Sequence, residues 1–337
     1  MSAPRSGPNR ADLVLSGGGV KGIGLVGAVA ALVDAGYQPQ RVSGTSAGAL
    51  VGAVVAGAVH SGHFDADELE RLAMSIDYRK FLDPGLIERI PLVGTAWGVL
   101  SGDGVCRGDA LRAWVADQLA GFGVSTFADL KIANPALPPE QRYRLVVTVA
   151  DVTLGQLVRL PWDYERVYGL DPDTQLVADA VRASTAIPFF YRPASLTHVD
   201  GSESTLVDGG LLSNFPIDSL DRTDGKRPRW PTFGVTLLPN LPADNDQVIP
   251  ALRPLHFLGP PTLLEKVLTT ILVGRDQAYL NQPWVSTRTI RVDTTDVGVL
   301  DFNLSEKDKR ALFNRGYDAG REFLSTWDWN NYITRFR

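Results

Sequence analysis

"ADLVLSGGGVKGIGLVGAVAALVDAGYQPQRVSGTSAG", residues 11–48, decides the fold. Residues 11–16 form a short apolar run that reads as a buried strand, and Gly17, Gly18 and Gly19 turn the chain. Residues 22–35 carry apolar side chains at helical spacing, with Gly36 as a C-terminal stop. Residues 40–43 read as a second short strand. It enters G-T-S-A-G at 44–48, and a helix of small residues runs on to about His60. Two strand–turn–helix units in succession predict a parallel sheet with helices on both faces.

Further along, residues 65–80 and 108–121 read as amphipathic helices. Between them lies an apolar, glycine-rich and poorly periodic stretch at 81–105, read either as a lid or lipid-facing flap or as an ordinary packed loop. Residues 143–151 read as a central strand, with 156–161 placed to pair beside it. Residues 179–193 read as a helix ending near Pro188, and 195–210 as a hairpin with an Asp-Gly turn. "PTFGVTLL" and "TRTIRVDT" are strands, 262–280 is a long helix, and Ser305 with Asp308 opens a final helix over 305–327. With no linker or repeat, the simplest organisation is a flexible N-terminus at 1–10, one domain over 11–327 and a tail at 328–337.

The composition sets bounds. The 337 residues are 44% hydrophobic and 21% charged, enough for a sizeable packed core, and the formal net charge is −5. An acidic balance argues against a general nucleic-acid binder. The single cysteine, Cys106, excludes an internal disulfide and fits a reducing compartment. The polar, proline-containing N-terminus shows no signal peptide. The uncharged run at 42–62 is better read as a buried helix after a strand than as a membrane span. The expectation is a cytoplasmic protein, peripheral at membranes.

The glycine turn matches G-x-G-x-x-G through Gly17, Gly19 and Gly22. A dinucleotide site also needs an acidic residue at the end of the next strand. That end is Val42-Ser43-Gly44, so an NAD-linked oxidoreductase is disfavoured. A P-loop fails as well, because no glycine is followed by Lys-Ser or Lys-Thr. What the second strand does enter is G-x-S-x-G, the nucleophile elbow, with Ser46 at its centre. Two helix N-termini at adjacent strand ends point at one spot. There the N–H groups of Gly18, Gly19 and Ala47 are placed to hold a tetrahedral oxyanion. Lys21 sits in the first turn of a helix, where a cation is disfavoured by a few tenths to ~1 kcal/mol. Either an anionic ligand such as a phospholipid headgroup offsets this, or the side chain extends into water.

A serine nucleophile needs a base. Of the four histidines, His60 and His63 lie at the elbow helix's far end from Ser46, His256 lies in a proline-rich loop with no partner signal, and none of these or His198 is well placed; each reads as a surface or structural residue. A carboxylate can accept the hydroxyl proton directly. Asp208 in "TLVDGG" ends an apolar strand, and Gly209-Gly210 admit a neighbouring backbone. Asp151 also ends a strand but lacks the paired glycines and reads as a turn residue.

G-G-G-x-K-G at 17–22, G-T-S-A-G at 44–48 and D-G-G at 208–210, in that order and spacing, resemble the patatin-like phospholipase family. "ASTAIPFFYRP" at 183–193 resembles the family's segment before its aspartate. The likeness is clear over about residues 11–215, and the C-terminal "LDFNLSEKDKRALFNRGYDAGREFL" also looks familial. The resemblance implies a three-layer α/β/α sandwich with a mostly parallel central sheet. It implies a Ser46–Asp208 catalytic dyad without histidine, an oxyanion hole from Gly17, Gly18, Gly19 and Ala47, and substrates that are acyl esters of phospholipids or other lipids. Some plant members carry D-G-A where this chain has D-G-G. Neither metal nor cofactor is called for. The rival expectation is a latent or regulated lipid-binding protein on the same scaffold. For membrane contact, 81–105 and the aromatic tail "TWDWNNYITRFR" are the candidates, the tail being read first as an ordinary packed or frayed C-terminus.

Overall fold

A computed structural model describes residues 9–62, 64–83, 106–134, 137–238 and 277–337. The expected N-terminal extension up to residue 8, most of the 81–105 stretch, His63, His256 and the 262–280 helix before residue 277 lie outside the described residues. The first half of the chain forms β1 (Asn9–Leu15), α1 (Gly22–Asp34), β2 (Tyr37–Thr45), α2 (Ala47–Ser61), α3 (Ala66–Ser75), α4 (Asp109–Gly121) and β3 (Leu145–Asp151). There follow β4 (Gln156–Leu160), α5 (Asp163–Tyr168), α6 (Val177–Ser184), β5 (Ala194–Thr197), β6 (Glu203–Asp208) and β7 (Thr232–Leu238). The chain closes with α7 (Gln277–Leu280), α8 (Pro283–Ser286), β8 (Thr289–Asp293), α9 (Glu306–Thr326) and α10 (Trp329–Phe336).

The strands form one sheet in the order β5-β6-β3-β2-β1-β7-β8, with β4 also on β3. β3, β2, β1, β7 and β8 run parallel, and β4 and β6 run antiparallel to β3. Alternation assigns the two faces. Leu13, Leu15, Leu145, Val147, Phe233, Val235 and Val292 join the main core under α1, α2 and α9. Val14 and Val146 point the other way, against Phe215, Ile217 and Leu220 and against Leu280 and Val285 of α7 and α8. The result is the expected α/β/α layering around a mostly parallel sheet. α1 is buried on every side but its last turn, as a helix without a polar face must be.

Three segments differ from their sequence reading. The helix read over 65–80 ends as α3 at Ser75, where Ile76 turns extended, and a separate 3-10 turn follows at Tyr78–Phe81. β2 begins at Tyr37, before Pro39, whose missing N–H argues against a central strand. The ladder with β1 tolerates it because the register slips between Ala11 and Leu13. α6 stops at Ser184, well short of Pro188, whose ring disfavours helical backbone in the residue before it. The tail is packed: α10 buries Tyr332 and Ile333, and Tyr332 lies 5.5 Å from the Trp327 ring. Among the described residues no helix is long and apolar enough to cross a membrane.

One feature of the sheet builds the site. β4 covers Val147 to Asp151 of β3 on one edge. On the opposite edge β2 pairs Leu145 to Thr148, and β6 pairs Val149 to Asp151. The C-terminal ends of β2 and β6 therefore meet head-on, with Thr45 opposite Thr148 and Asp208 opposite Val149. The residue after Thr45 is Ser46.

Candidate active site

Ser46 leaves β2 and caps α2 with φ 53° and ψ −122°, a left-handed conformation that non-glycine residues seldom adopt. Such backbone costs ~1–3 kcal/mol and persists only where its surroundings hold it. Gly48 allows the turn to seat: a Cβ there would lie 2.2 Å from the Leu15 carbonyl oxygen at the end of β1. The Ser46 N–H donates to Ser184 Oγ at 2.9 Å, and Ser184 in turn donates to the Thr148 carbonyl at 2.7 Å. A fully buried hydroxyl from α6 thus ties the elbow to β3.

The Ser46 hydroxyl donates to Asp208 Oδ2 at 2.5 Å. The other carboxylate oxygen accepts the Gly210 N–H at 2.8 Å, and the Asp208 N–H donates to the Ala186 carbonyl at 2.9 Å. Gly209 lets β6 end this close to β3, since a Cβ would lie 2.4 Å from the Thr148 carbonyl oxygen. Ser46 is 5% and Asp208 1% exposed. Burial pushes the Asp208 carboxyl up to about 7, against the opposing pull of the Ser46 and Gly210 hydrogen bonds. A group titrating there is matched to taking and returning a proton near neutral pH.

The glycine turn lies beside this pair: a Cβ on Gly17 would come 3.1 Å from the Ser46 Cβ. The Gly17 N–H, however, donates to the Asn214 carbonyl at 3.1 Å, which removes it from the expected oxyanion donors. The Gly18, Gly19 and Ala47 N–H groups have no acceptor among the described residues. Ala47 opens α2, so its N–H is one of the donors a helix start leaves unpaired.

Lys21 is placed unlike either expectation. It neither extends into water nor presents its ammonium as an open anion site: Nζ is buried and donates to the Thr294 carbonyl at 2.9 Å. The carboxylates that offset its charge are the protein's own, Asp293 and Asp296. His60 sits in the last turn of α2, and His198 Nε2 pairs with Ser204 Oγ at 2.8 Å. Asp151 closes the β3–β4 turn, accepting the Thr153 and Leu154 N–H groups at 2.9 Å and the Tyr168 hydroxyl at 3.0 Å. Among the described residues no three His, Cys, Asp or Glu side chains are grouped as metal ligands. Ser184 and Asn214 were not singled out from the sequence. The only local sign of Ser184 is its place in "ASTAIPFFYRP", and Asn214 has none.

The family model for patatin-like phospholipases matches residues 13–221. The uncharacterized protein YqhO of Bacillus subtilis is 33% identical over 320 residues, covering 94% of this chain and 98% of YqhO. The uncharacterized NTE family protein Rv2565 of Mycobacterium tuberculosis is 28% identical over 299 residues, 86% of this chain and 43% of that protein. In fold, the chain is similar to the crystal structure of VipD from Legionella pneumophila. The TM-score is 0.50 at 17% identity, over 95% of this chain and 67% of that one.

Proposed function

We propose that this chain, which belongs to the patatin-like phospholipase family, is a serine acyl hydrolase that cleaves fatty-acyl esters of phospholipids or related lipids through Ser46 and Asp208. The observation that carries the proposal is the 2.5 Å hydrogen bond from a strained elbow serine to a buried carboxylate that faces no cation among the described residues.

Asp208 takes the hydroxyl proton as Ser46 Oγ attacks the ester carbonyl. The tetrahedral oxyanion is stabilised by the N–H groups of Gly18, Gly19 and Ala47 at the start of α2. Collapse expels the alcohol, which leaves with the proton held by Asp208. Water then gives a proton to Asp208, attacks the acyl-serine and releases the fatty acid, and the proton returns to Ser46 Oγ. The substrate is met at a lipid surface through peripheral contact. Within α10, Tyr332 and Ile333 are used inside the fold, while Trp329 and Phe336 are half-buried.

Hydrolysis of a chromogenic fatty-acyl ester by Ser46→Ala and Asp208→Asn tests the assignment. Both lose at least ~10³-fold in kcat; wild-type rates in both variants overturn the mechanism. A lipid-binding protein without catalysis gives no Ser46-dependent turnover in the unmodified chain.

A further inference from the structure

The hydrolase chemistry leaves one residue of the glycine turn without a task. Lys21 is 6% exposed, and its ammonium reaches across 273 positions of sequence to the Thr294 carbonyl. Thr294 is buried and directly follows β8. The charged groups facing the ammonium are Asp293 and Asp296 from the same segment, and Asp296 is ion-paired with Arg315 of α9. That segment touches the turn a second time, where the Val299 carbonyl accepts the Val20 N–H at 3.1 Å.

The backbone of Lys21 completes the connection. Its N–H donates to the Gly18 carbonyl at 3.3 Å. In a trans peptide the C=O and N–H point in opposite directions, so fixing the Gly18 carbonyl also aims the Gly19 N–H. Gly19 itself is left-handed, with φ 59°, and has no side chain by which the turn is held.

We propose that Lys21 is a positioning residue: locked to the Thr294 carbonyl, its ammonium holds the Gly18–Gly19 peptide so that the Gly19 N–H meets the oxyanion on Ser46. This rests on the hydrolase assignment above. Burial lowers the Lys21 ammonium to about 8, so its attraction to Asp293 and Asp296 is lost as pH rises through that value.

Lys21→Met and Lys21→Arg, assayed with a chromogenic acyl ester, test the proposal. In Lys21→Met, kcat falls at least ~10-fold while KM stays within about twofold, because an oxyanion donor acts on charge present only in the transition state. A trifluoromethyl ketone that forms a hemiketal oxyanion on Ser46 weakens in parallel. The unmodified enzyme loses kcat above a pH of about 8. Lys21→Arg stays active and loses that alkaline fall, since a guanidinium keeps its charge. Full kcat in Lys21→Met with Ser46-dependent activity intact overturns the positioning role and leaves the hydrolase assignment standing. No Ser46-dependent turnover in the unmodified enzyme overturns the assignment itself. If Lys21→Met does not fold, an alkaline profile that is the same in the unmodified enzyme and in Lys21→Arg overturns the positioning role.

Discussion

Asp208→Asn should abolish turnover and, at pH 8, make the protein more stable. The carboxyl is 1% exposed and pushed from 3.8 to about 7, chiefly by burial. A raised carboxyl favours the protonated folded state. The cost of ionising it is therefore absent below the unfolded value, grows between pH 4 and 7, and is complete above the folded value. At ~1.4 kcal/mol per pH step, that interval corresponds to roughly 4 kcal/mol. Asparagine has no charge to bury. It keeps an acceptor for the Gly210 N–H, and its amide can donate to Ser46 Oγ. Unfolding entropy for 337 residues is about 0.7 kcal/mol per kelvin, so full relief raises Tm by about 6 °C. Thermal unfolding of both proteins at pH 4 and pH 8, followed by circular dichroism, measures the effect. Asp208→Asn should gain on the unmodified protein at pH 8 by several degrees more than at pH 4. An equal Tm difference at the two pH values, or a larger loss at pH 8, would refute the claim that a desolvated carboxylate sits at this position.

Three further outcomes follow from the same geometry. The kcat/KM of the unmodified enzyme should rise as pH increases through about 7, because the base acts only when ionised; a flat profile from pH 5 to 8 contradicts Asp208 as that base. Ser184→Ala leaves the buried Ser46 N–H without its acceptor, which should cost ~1–3 kcal/mol of stability and lower kcat about tenfold or more as the elbow relaxes; calorimetry and ester kinetics read both, and unchanged values remove Ser184 from the account. Gly19→Ala puts a Cβ 2.0 Å from the Val299 carbonyl oxygen on left-handed backbone, and kcat should drop about 10²-fold with a smaller change in KM. Wild-type kinetics there would exclude the turn from oxyanion binding.

The sequence shows the local devices of this site more clearly than their meeting. A strand end, a glycine-flanked serine and a helix start are contiguous, so the elbow is legible at 44–48. The glycine turn is legible for the same reason, and so is the 305–308 cap, where the Asp308 N–H donates to Ser305 Oγ at 3.2 Å. The hairpin at 195–210 was expected as well, and it forms as β5 and β6. What no local pattern carries is that β6 runs head-on toward β2 along one edge of β3, which alone brings Asp208 to Ser46 across 162 positions. Ser184 and the Thr294 carbonyl are hidden for the same reason: each acts through a hydrogen bond to a partner remote in sequence. Lys21 is not legible from its own turn because helix-end electrostatics are local, whereas its compensating carboxylates, Asp296 and Asp293, lie just past and at the end of β8.

The most direct measurement is peptide mapping by mass spectrometry after exposure to an alkyl fluorophosphonate. A single adduct on the peptide carrying Ser46, absent in Ser46→Ala and formed far more slowly in Asp208→Asn, is the predicted result. An adduct on another residue, or a Ser46 that stays unmodified in folded protein, contradicts the account.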